Sequence, residues 1–365
     1  MVEFRPSPLT VPASWLFSLA SDSYHRACDA GVFRVDRLPG AVLSVGNLAV
    51  GGTGKTPAVL ALARAGLGAG TRPAVLTRGH GGTRKGVLRA GSWSSGDAAS
   101  AEEAGDEALL LSRALPGVPV VVERRRAAGA RALLASGETV DLWLLDDGFQ
   151  HRRLARDADL VLLDGRLPLG NGRRLPAGPL RESVFALRRA HGLLLTGLEP
   201  GEGIPEDTAR LLGEHAPGKP VWRSWTVFEG FSTMDGRDPG GDDDLRGRPA
   251  LAVSGIARPE RFHALLASLD LGSAGRRVFA DHHRFTWAEV REIEAEARRR
   301  DAVPVTTAKD AVRLENLADP ASGWRVARVR TEAETDWEVI LGVLLRGGVD
   351  PPATASGLAG ASDLR

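Results

Sequence analysis

From residue 41 the chain alternates between two kinds of stretch. "AVLSVGN", "RPAVLTRG", "VPVVVER", "VDLWLLDDG", "ADLVLLDG" and "AHGLLLTG" are continuous apolar runs, rich in branched side chains and mostly closed by Gly, Asp or Asn. They lack the period of two expected of a half-exposed strand, so they read as strands covered on both faces of a parallel sheet. Between them, Ala58 to Ala65 and Ala104 to Ala114 are rich in Ala, Leu and Arg and read as crossover helices. The expected fold class is α/β, a doubly wound and mostly parallel sheet.

The rhythm breaks at Glu229 to Pro249, where Gly, Pro and Asp crowd together. A second, smaller α/β set follows: "ALAVSGI", a helix from Pro259 to Leu269, "RRVFADH", a helix from Trp287 to Arg300, and "VPVTTAKDAVRL". The expected layout is an N-terminal segment at 1–35, a nucleotide-binding domain at 36–228, a linker at 229–248, a smaller α/β domain at 249–350 and a disordered tail at 351–365.

Composition narrows the function classes. With 43% hydrophobic and 25% charged residues the chain reads as an ordinary globular protein, and its formal net charge of +1 provides no field to recruit nucleic acid. Cys28 is the only cysteine, which excludes an internal disulfide and any cysteine-rich metal site. No run approaches the roughly 20 apolar residues of a membrane span, and the start lacks the pattern of a secretory signal, so a cytoplasmic protein is expected. The stretch "VPASWLFSLASDSYHRACDAGVFR" sets Trp15, Leu16, Leu19, Tyr24 and Phe33 among polar residues. It reads either as a first helix packed on the core or as an amphipathic helix on a membrane or partner.

The chemistry begins at "SVGNLAVGGTGKTP". A strand leads into Gly51, Gly52, Thr53, Gly54, Lys55 and Thr56, and Pro57 sits where a first helical turn tolerates proline. Such a loop aims backbone amides and a helix N-terminus at one centre and binds phosphates, with Lys55 reaching the β- and γ-phosphates and the Thr56 hydroxyl binding Mg2+. The usual pattern has a glycine where this chain has Ala49.

Four other groups stand out. Asp146 and Asp147 end a buried-type strand, as a metal-holding acid does in loops of this class, although two acids also suit a plain turn. Asp106 and Glu107 sit at a helix start, where capping alone explains acids. Asp281, His282 and His283 follow an apolar run, with no third ligand at zinc-like spacing. "NGRRLPAGPLRE" carries Arg173, Arg174 and Arg181, which suit an anion or simply water. Arg124 poses the same choice.

Together these stretches resemble the tetraacyldisaccharide 4'-kinase family, the lipid A 4'-kinases of Gram-negative bacteria. "SVGNLAVGGTGKTP", "TRGHGG", "AGDEALLL", "LDDGFQHRRLARDADLVLLDG", "GNGRRLPAGPLRE", "SGIARPERF", "DHHRFT" and "TTAKDAVRL" run in the family's order from about residue 44 to residue 314. The family's loop does not use the first glycine, so the resemblance removes the objection at Ala49.

The resemblance implies transfer of the ATP γ-phosphate to the 4'-hydroxyl of a tetraacylated glucosamine disaccharide 1-phosphate at the cytoplasmic face of the inner membrane. It implies ATP and Mg2+, a lipid substrate, a membrane surface, no nucleic acid and no protein partner. Residue by residue, it gives Lys55 and Thr56 their phosphate and Mg2+ roles and puts Asp146 and Asp147 near the metal, with Gln150 and His151 completing that motif. Asp106 matches the base that takes the hydroxyl proton and His282 its partner. Gln150 and Arg181 then contact the nucleotide, and Glu182 joins Thr56, Asp146 and Asp147 at the metal. Peripheral membrane contact through Trp15, Phe17, Leu19, Arg26 and Arg34 then becomes the expectation for the N-terminal stretch.

The family usually has Glu at Ala308, Tyr at His80 and Ser at Thr77. Two other readings compete: a nucleotide switch, against which the spacing of "TTAKD" argues, and a P-loop enzyme acting on a soluble metabolite.

Overall fold

The computed structural model describes residues 6–89, 92–93, 99–234, 245, 247–269 and 271–346. The strands are β1 (Ala41–Asn47), β2 (Pro73–Thr77), β3 (Gly86–Arg89), β4 (Ser92–Trp93), β5 (Val120–Val122), β6 (Leu142–Asp146), β7 (Ala158–Asp164), β8 (Gly192–Thr196), β9 (Val221–Ser232), β10 (Ala250–Ser254), β11 (Ser273–Val278), β12 (Val303–Thr307) and β13 (Arg325–Ala333). They form one sheet in the order β11-β10-β12-β13-β9-β8-β7-β1-β6-β2-β5-β3-β4. The fold is α/β and mostly parallel, as the continuous apolar runs require; β13 with β9, β5 with β3, and β3 with β4 pair antiparallel.

The helices are α1 (Thr10–Asp29), α2 (Lys55–Gly68), α3 (Ala101–Ala104), α4 (Asp106–Ala114), α5 (Arg126–Ala135), α6 (Glu206–His215), α7 (Pro259–Ala267), α8 (Trp287–Arg299), α9 (Ala308–Leu314) and α10 (Trp337–Leu345). Alternation along β1 assigns its faces. Leu43 and Val45 pack with Val59 and Leu62 of α2, Leu109 of α4 and Leu341 of α10. Val42 joins Trp143, Leu145 and α5 on the other side. Both faces are thus covered, which is why no polar alternation marks these strands. The later strands repeat the pattern: Ala250 and Ala252 face α7, whereas Leu251 and Val253 face α8.

The two strand sets share a single sheet. β9 pairs with β8 over Val221 to Ser224 and with β13 along the rest of its length, so the β9–β13 ribbon joins them. Glu229 to Ser232, expected in the linker, belong to β9. Most of the remaining linker and the whole of the expected tail lie outside the described residues.

The N-terminal helix overturns the core-packed reading. Only Ser14 of α1 is buried. Trp15, Leu16 and Leu19 are 74%, 71% and 66% exposed. The polar side faces inward instead: Ser14 Oγ donates to the carbonyl of Arg174 (2.8 Å), and Asp22 accepts from Arg174 (2.7 Å).

Candidate active site

The C-terminal ends of the central strands place Asn47, Thr77, Asp146 and Asp164 along one edge of the sheet. β1 lies between β7 and β6 there, and parallel sheets bind ligands at such an edge. The loop from β1 to α2 crosses it. Gly54, the N-cap of α2, takes φ 79°, a left-handed value that favours glycine. Gly46 is needed for a different reason, since a Cβ there would lie 2.6 Å from Phe149 Cβ.

Ala49 now has a physical account. It bridges antiparallel to Leu180, and on either side Val50 donates its N–H to Pro179 O (2.8 Å) and Arg181 donates its own to Leu48 O (2.9 Å). Its backbone is not left-handed, so an alanine fits. The "LPAGPLRE" segment and the loop are one backbone-bonded unit.

A cleft of about 1190 Å3 is lined by Gly51 through Thr56, Asp146, Asp147 and Arg181 on one wall and by Asp281, His282 and Lys309 on the facing wall. On the first wall, Arg181 Nη1 donates to both Asp147 oxygens (2.9 and 2.8 Å), and Lys55 Nζ lies 3.7 Å from Asp147 Oδ1. Burial alone would raise the Asp147 pKa, but Lys55 and Arg181 hold it below its ordinary value. Asp146 behaves oppositely: burial, then Glu107 and Asp147, push it up to about 7 despite Lys55 and a hydrogen bond from Thr77 Oγ1 (3.0 Å). That bond explains why threonine serves at position 77, because the hydroxyl is what the site uses.

Glu182 is not on the cleft wall. It is 2% exposed, and its carboxylate accepts from Gln150 Nε2 (3.0 Å), Arg189 Nη2 (2.8 Å) and His25 Nε2 (3.0 Å). Its pKa is lowered because His25 and Arg189 outweigh burial. Gln150 stands between Glu182 and the wall and accepts from Arg181 Nη1 (3.4 Å). The next residue, His151, is pushed down to about 4 by burial and the nearby Arg126 and Arg156 guanidiniums, so it is a neutral imidazole near pH 7.

On the facing wall, His282 Nδ1 donates to Asp106 Oδ2 (3.0 Å) and its Nε2 accepts from Lys309 Nζ (3.1 Å), which assigns the Nδ1–H tautomer. Lys309 also reaches Glu107 Oε1 (3.3 Å) and Asp281 Oδ1 (3.5 Å). Asp106, 5% exposed, lies behind His282 as the first residue of α4, where Oδ1 accepts the Glu107 N–H (3.0 Å). Burial opposes its charge, yet His282, Lys309 and Arg313 together lower its pKa, and the same hydrogen bond raises that of His282.

The structure therefore brings His282 to Asp106 although 175 residues separate them in the chain, a pairing that the motif "AGDEALLL" alone leaves as helix capping. His282 and Asp147 both adopt positive φ, at 59° and 50°. Asp tolerates that region, and such backbone strain concentrates at functional sites.

Reading the residues singly missed three members: Asn47, whose Nδ2 donates to Thr53 Oγ1 (2.9 Å); Arg126, which donates to the Asp146 carbonyl (3.2 Å); and Lys309. Asn47 ends a strand directly before the loop and could have been found from that position. Lys309 lies in "TTAKDAVRL", but nothing in that segment alone points to its contact with His282. Arg124, by contrast, lines a second, basic cavity of about 450 Å3 with Arg78, Arg84 and Lys85.

The fit to a divalent cation rests on the donor set. Among the described residues no three His, Cys, Asp or Glu side chains converge as a metal site. Two adjacent carboxylates and the Thr56 hydroxyl do meet the loop, and Mg2+ usually takes only one or two protein carboxylates beside phosphate and water. Burial first, then the neighbouring Glu107 and Asp147 carboxylates, lift Asp146 to about 7, and a cation bound beside it would offset that charge.

Comparison with known proteins agrees with this geometry. The family model described as Tetraacyldisaccharide-1-P 4'-kinase matches residues 7–345. The chain is 42% identical over 340 residues to a Tetraacyldisaccharide 4'-kinase of Anaeromyxobacter dehalogenans, covering 90% of this chain and 89% of that one. It is 37% identical over 342 residues to the protein of that name from Syntrophus aciditrophicus, covering 90% of each. A crystal structure of LpxK from Aquifex aeolicus in complex with ATP superposes with a TM-score of 0.72 at 30% identity, covering 92% of this chain and 97% of that one. The chain belongs to the tetraacyldisaccharide 4'-kinase family.

Proposed function

We propose that this chain transfers the γ-phosphate of ATP to the 4'-hydroxyl of a tetraacyldisaccharide 1-phosphate, making the bisphosphorylated lipid A precursor. The observation that carries the reading is a single cleft whose walls present a phosphate-binding loop with Lys55 and, opposite it, the His282 ring backed by Asp106.

ATP lies along the loop, its phosphates on the backbone amides of Gly51 through Lys55 and on the Lys55 ammonium. Thr56, Asp146 and Asp147 would hold Mg2+, which would supply positive charge to the phosphates. Arg181 keeps Asp147 ionised and in place. The acceptor oxygen forms a bond to Pγ as the bond from Pγ to the bridging oxygen breaks, ADP leaves, and the hydroxyl proton passes to the Asp106–His282 pair. His282 is the member facing the cleft; its Nε2 takes the proton as Lys309 Nζ gives up that nitrogen, and Asp106, bonded to Nδ1–H, holds the compensating charge.

The basic cavity beside Arg78 and Arg124 suits the acceptor's own phosphate. The outward apolar face of α1 supports peripheral attachment to the inner membrane, where such an acceptor resides. No helix among the described residues is long and apolar enough to cross a membrane. Residues 36–228 and 249–350 act as two domains that close on the substrate, excluding water from the γ-phosphate.

Incubation of the protein with γ-labelled ATP, Mg2+ and a tetraacyl disaccharide 1-phosphate in detergent micelles tests the reading. Labelled bisphosphorylated lipid is the expected product. Its absence from protein that binds ATP contradicts the substrate assignment.

A further inference from the structure

Helix α1 has a second attachment that membrane contact does not require. Its inward face carries Ser14, Ser18, Ser21, Asp22 and His25, at the spacing of one helical stripe, and this stripe lies on the segment that ends in Arg181 and Glu182. His25 is its last member to touch that segment. Its Nε2 donates to Glu182 Oε2 at 3.0 Å, and only 13% of the His25 side chain is exposed.

From Glu182 the polar contacts run on without a gap. Gln150 Nε2 donates to Glu182 Oε1, Gln150 Oε1 accepts from Arg181, Arg181 grips both oxygens of Asp147, and Lys55 lies beside Asp147. Gln150 Nε2 also donates to the Asn47 carbonyl (3.0 Å), and the Asn47 side chain holds Thr53 of the loop.

We infer that His25 is a positioning residue for phosphoryl transfer: through Glu182 and Gln150 it sets Arg181 and Asp147, and so links the outward-facing helix α1 to the nucleotide wall. The inference rests on the kinase reading above. Its physical basis is that a buried carboxylate takes the orientation its donors impose. Arg189 and Gln150 reach Glu182 from within the kinase core, whereas His25 alone reaches it from α1. A helix seated on a lipid surface thereby holds the wall in its working geometry, and a helix that shifts releases one of the donors.

The experiment compares wild type, His25→Ala and His25→Gln for lipid phosphorylation in mixed micelles and for Mg2+-dependent ATP binding by calorimetry. A hydrogen bond to a charged group is worth about tenfold or more, so His25→Ala should lower kcat about tenfold and weaken Mg2+-dependent ATP binding roughly threefold to tenfold. KM for the lipid should stay close to that of wild type. The Gln amide can still donate to Glu182, so His25→Gln should recover most of both losses. A merely structural role would lower the melting temperature without this split or this rescue.

Should His25→Ala fail to fold, His25→Gln is compared with His25→Asn, whose amide is too short to reach Glu182. Folded His25→Ala with wild-type kcat and ATP affinity overturns the inference, and so does a His25→Gln no better than its alanine or asparagine counterpart. A wild type that makes no lipid product counts against the kinase reading instead, so the two failures are distinct.

Discussion

The two walls of the cleft are built in different ways. The nucleotide wall grows from strand ends buried on both faces: β1 feeds the loop, β6 ends in Asp146, and backbone hydrogen bonds tie Leu48 to Val50 onto the segment carrying Arg181. The facing wall holds His282 in a turn after β11 and Lys309 on a helix of 7 residues; the β9–β13 ribbon joins it to the first wall at the sheet, and across the cleft side chains make the contact. These contacts include His282 to Asp106, Lys309 to Glu107, Arg313 to Asp106 and Arg113 to Glu315, with Arg258 and Arg261 both on Asp164. A wall held by backbone and core keeps its shape with or without ligand. The cleft contacts of the facing wall are mixed: the partly exposed pairs Lys309–Glu107 and Arg113–Glu315 contribute little each, whereas the Arg313–Asp106 contact is buried. On the proposed mechanism the binding chemistry sits on the backbone-built wall and the proton acceptor where the two walls meet, an arrangement that closure on the lipid would complete.

Lys55→Ala attacks the rigid wall and should have the largest effect. Losing a charge aimed at the transferred phosphate costs roughly a hundred- to a thousandfold in kcat, and ATP affinity should fall with it; unchanged kcat would remove the loop from the mechanism. Where the two walls meet, Asp106→Asn removes the carboxylate that backs His282 and should cost roughly a hundredfold in kcat, in the range of a lost general base, while ATP affinity stays near wild type. Combining it with His282→Gln should add little, because the two act as one group. Lys309→Ala removes one strut and leaves His282 in place, so about a tenfold loss is expected.

The outer face of α1 supplies a milder test. Trp15→Ala with Leu19→Ala removes two exposed apolar side chains, and each buried side chain of this size is worth about 1.5 to 3 kcal/mol. Sedimentation with anionic vesicles should therefore fall by roughly tenfold or more, while the melting temperature is kept. Unchanged sedimentation would separate α1 from the membrane.

The smallest effect is in stability against pH. The Asp106 pKa is lowered in the fold, so its contribution is present above the unfolded value and lost as pH falls through the folded one. The His282 pKa is raised, so its contribution is complete below the unfolded value and lost as pH rises through the folded one. The melting-temperature gap between wild type and Asp106→Asn should be widest between about pH 4 and pH 6.5 and narrow on both sides. A gap independent of pH would mean that the pair carries no charge coupling.

The same contrast explains what the sequence made legible. Strands such as "AVLSVGN" and "ADLVLLDG" coincide with β1 and β7 because burial on both faces leaves an unbroken apolar run. The loop, Asp146 and Asp147 follow as strand-end chemistry. β9 and β13 escaped notice because their buried and half-exposed positions mix along lengths of 12 and 9 residues, breaking both periods. Asp106 and His282 each look ordinary in their own segment; the family resemblance paired them, and the tertiary structure brings His282 Nδ1 to 3.0 Å from Asp106 Oδ2. Helix α1 misled the simplest rule, since its stripe of serines, Asp22 and His25 faces inward and its tryptophan and leucines face out.

The central claim is that the facing wall supplies the proton acceptor and not the nucleotide site. Single-turnover phosphate transfer to the lipid by His282→Gln, at ATP concentrations shown by calorimetry to saturate it, tests this most directly. The account predicts a rate at least about a hundredfold below wild type with ATP affinity preserved. Transfer within about threefold of wild type, less than half a pKa unit's worth of free energy, would contradict it.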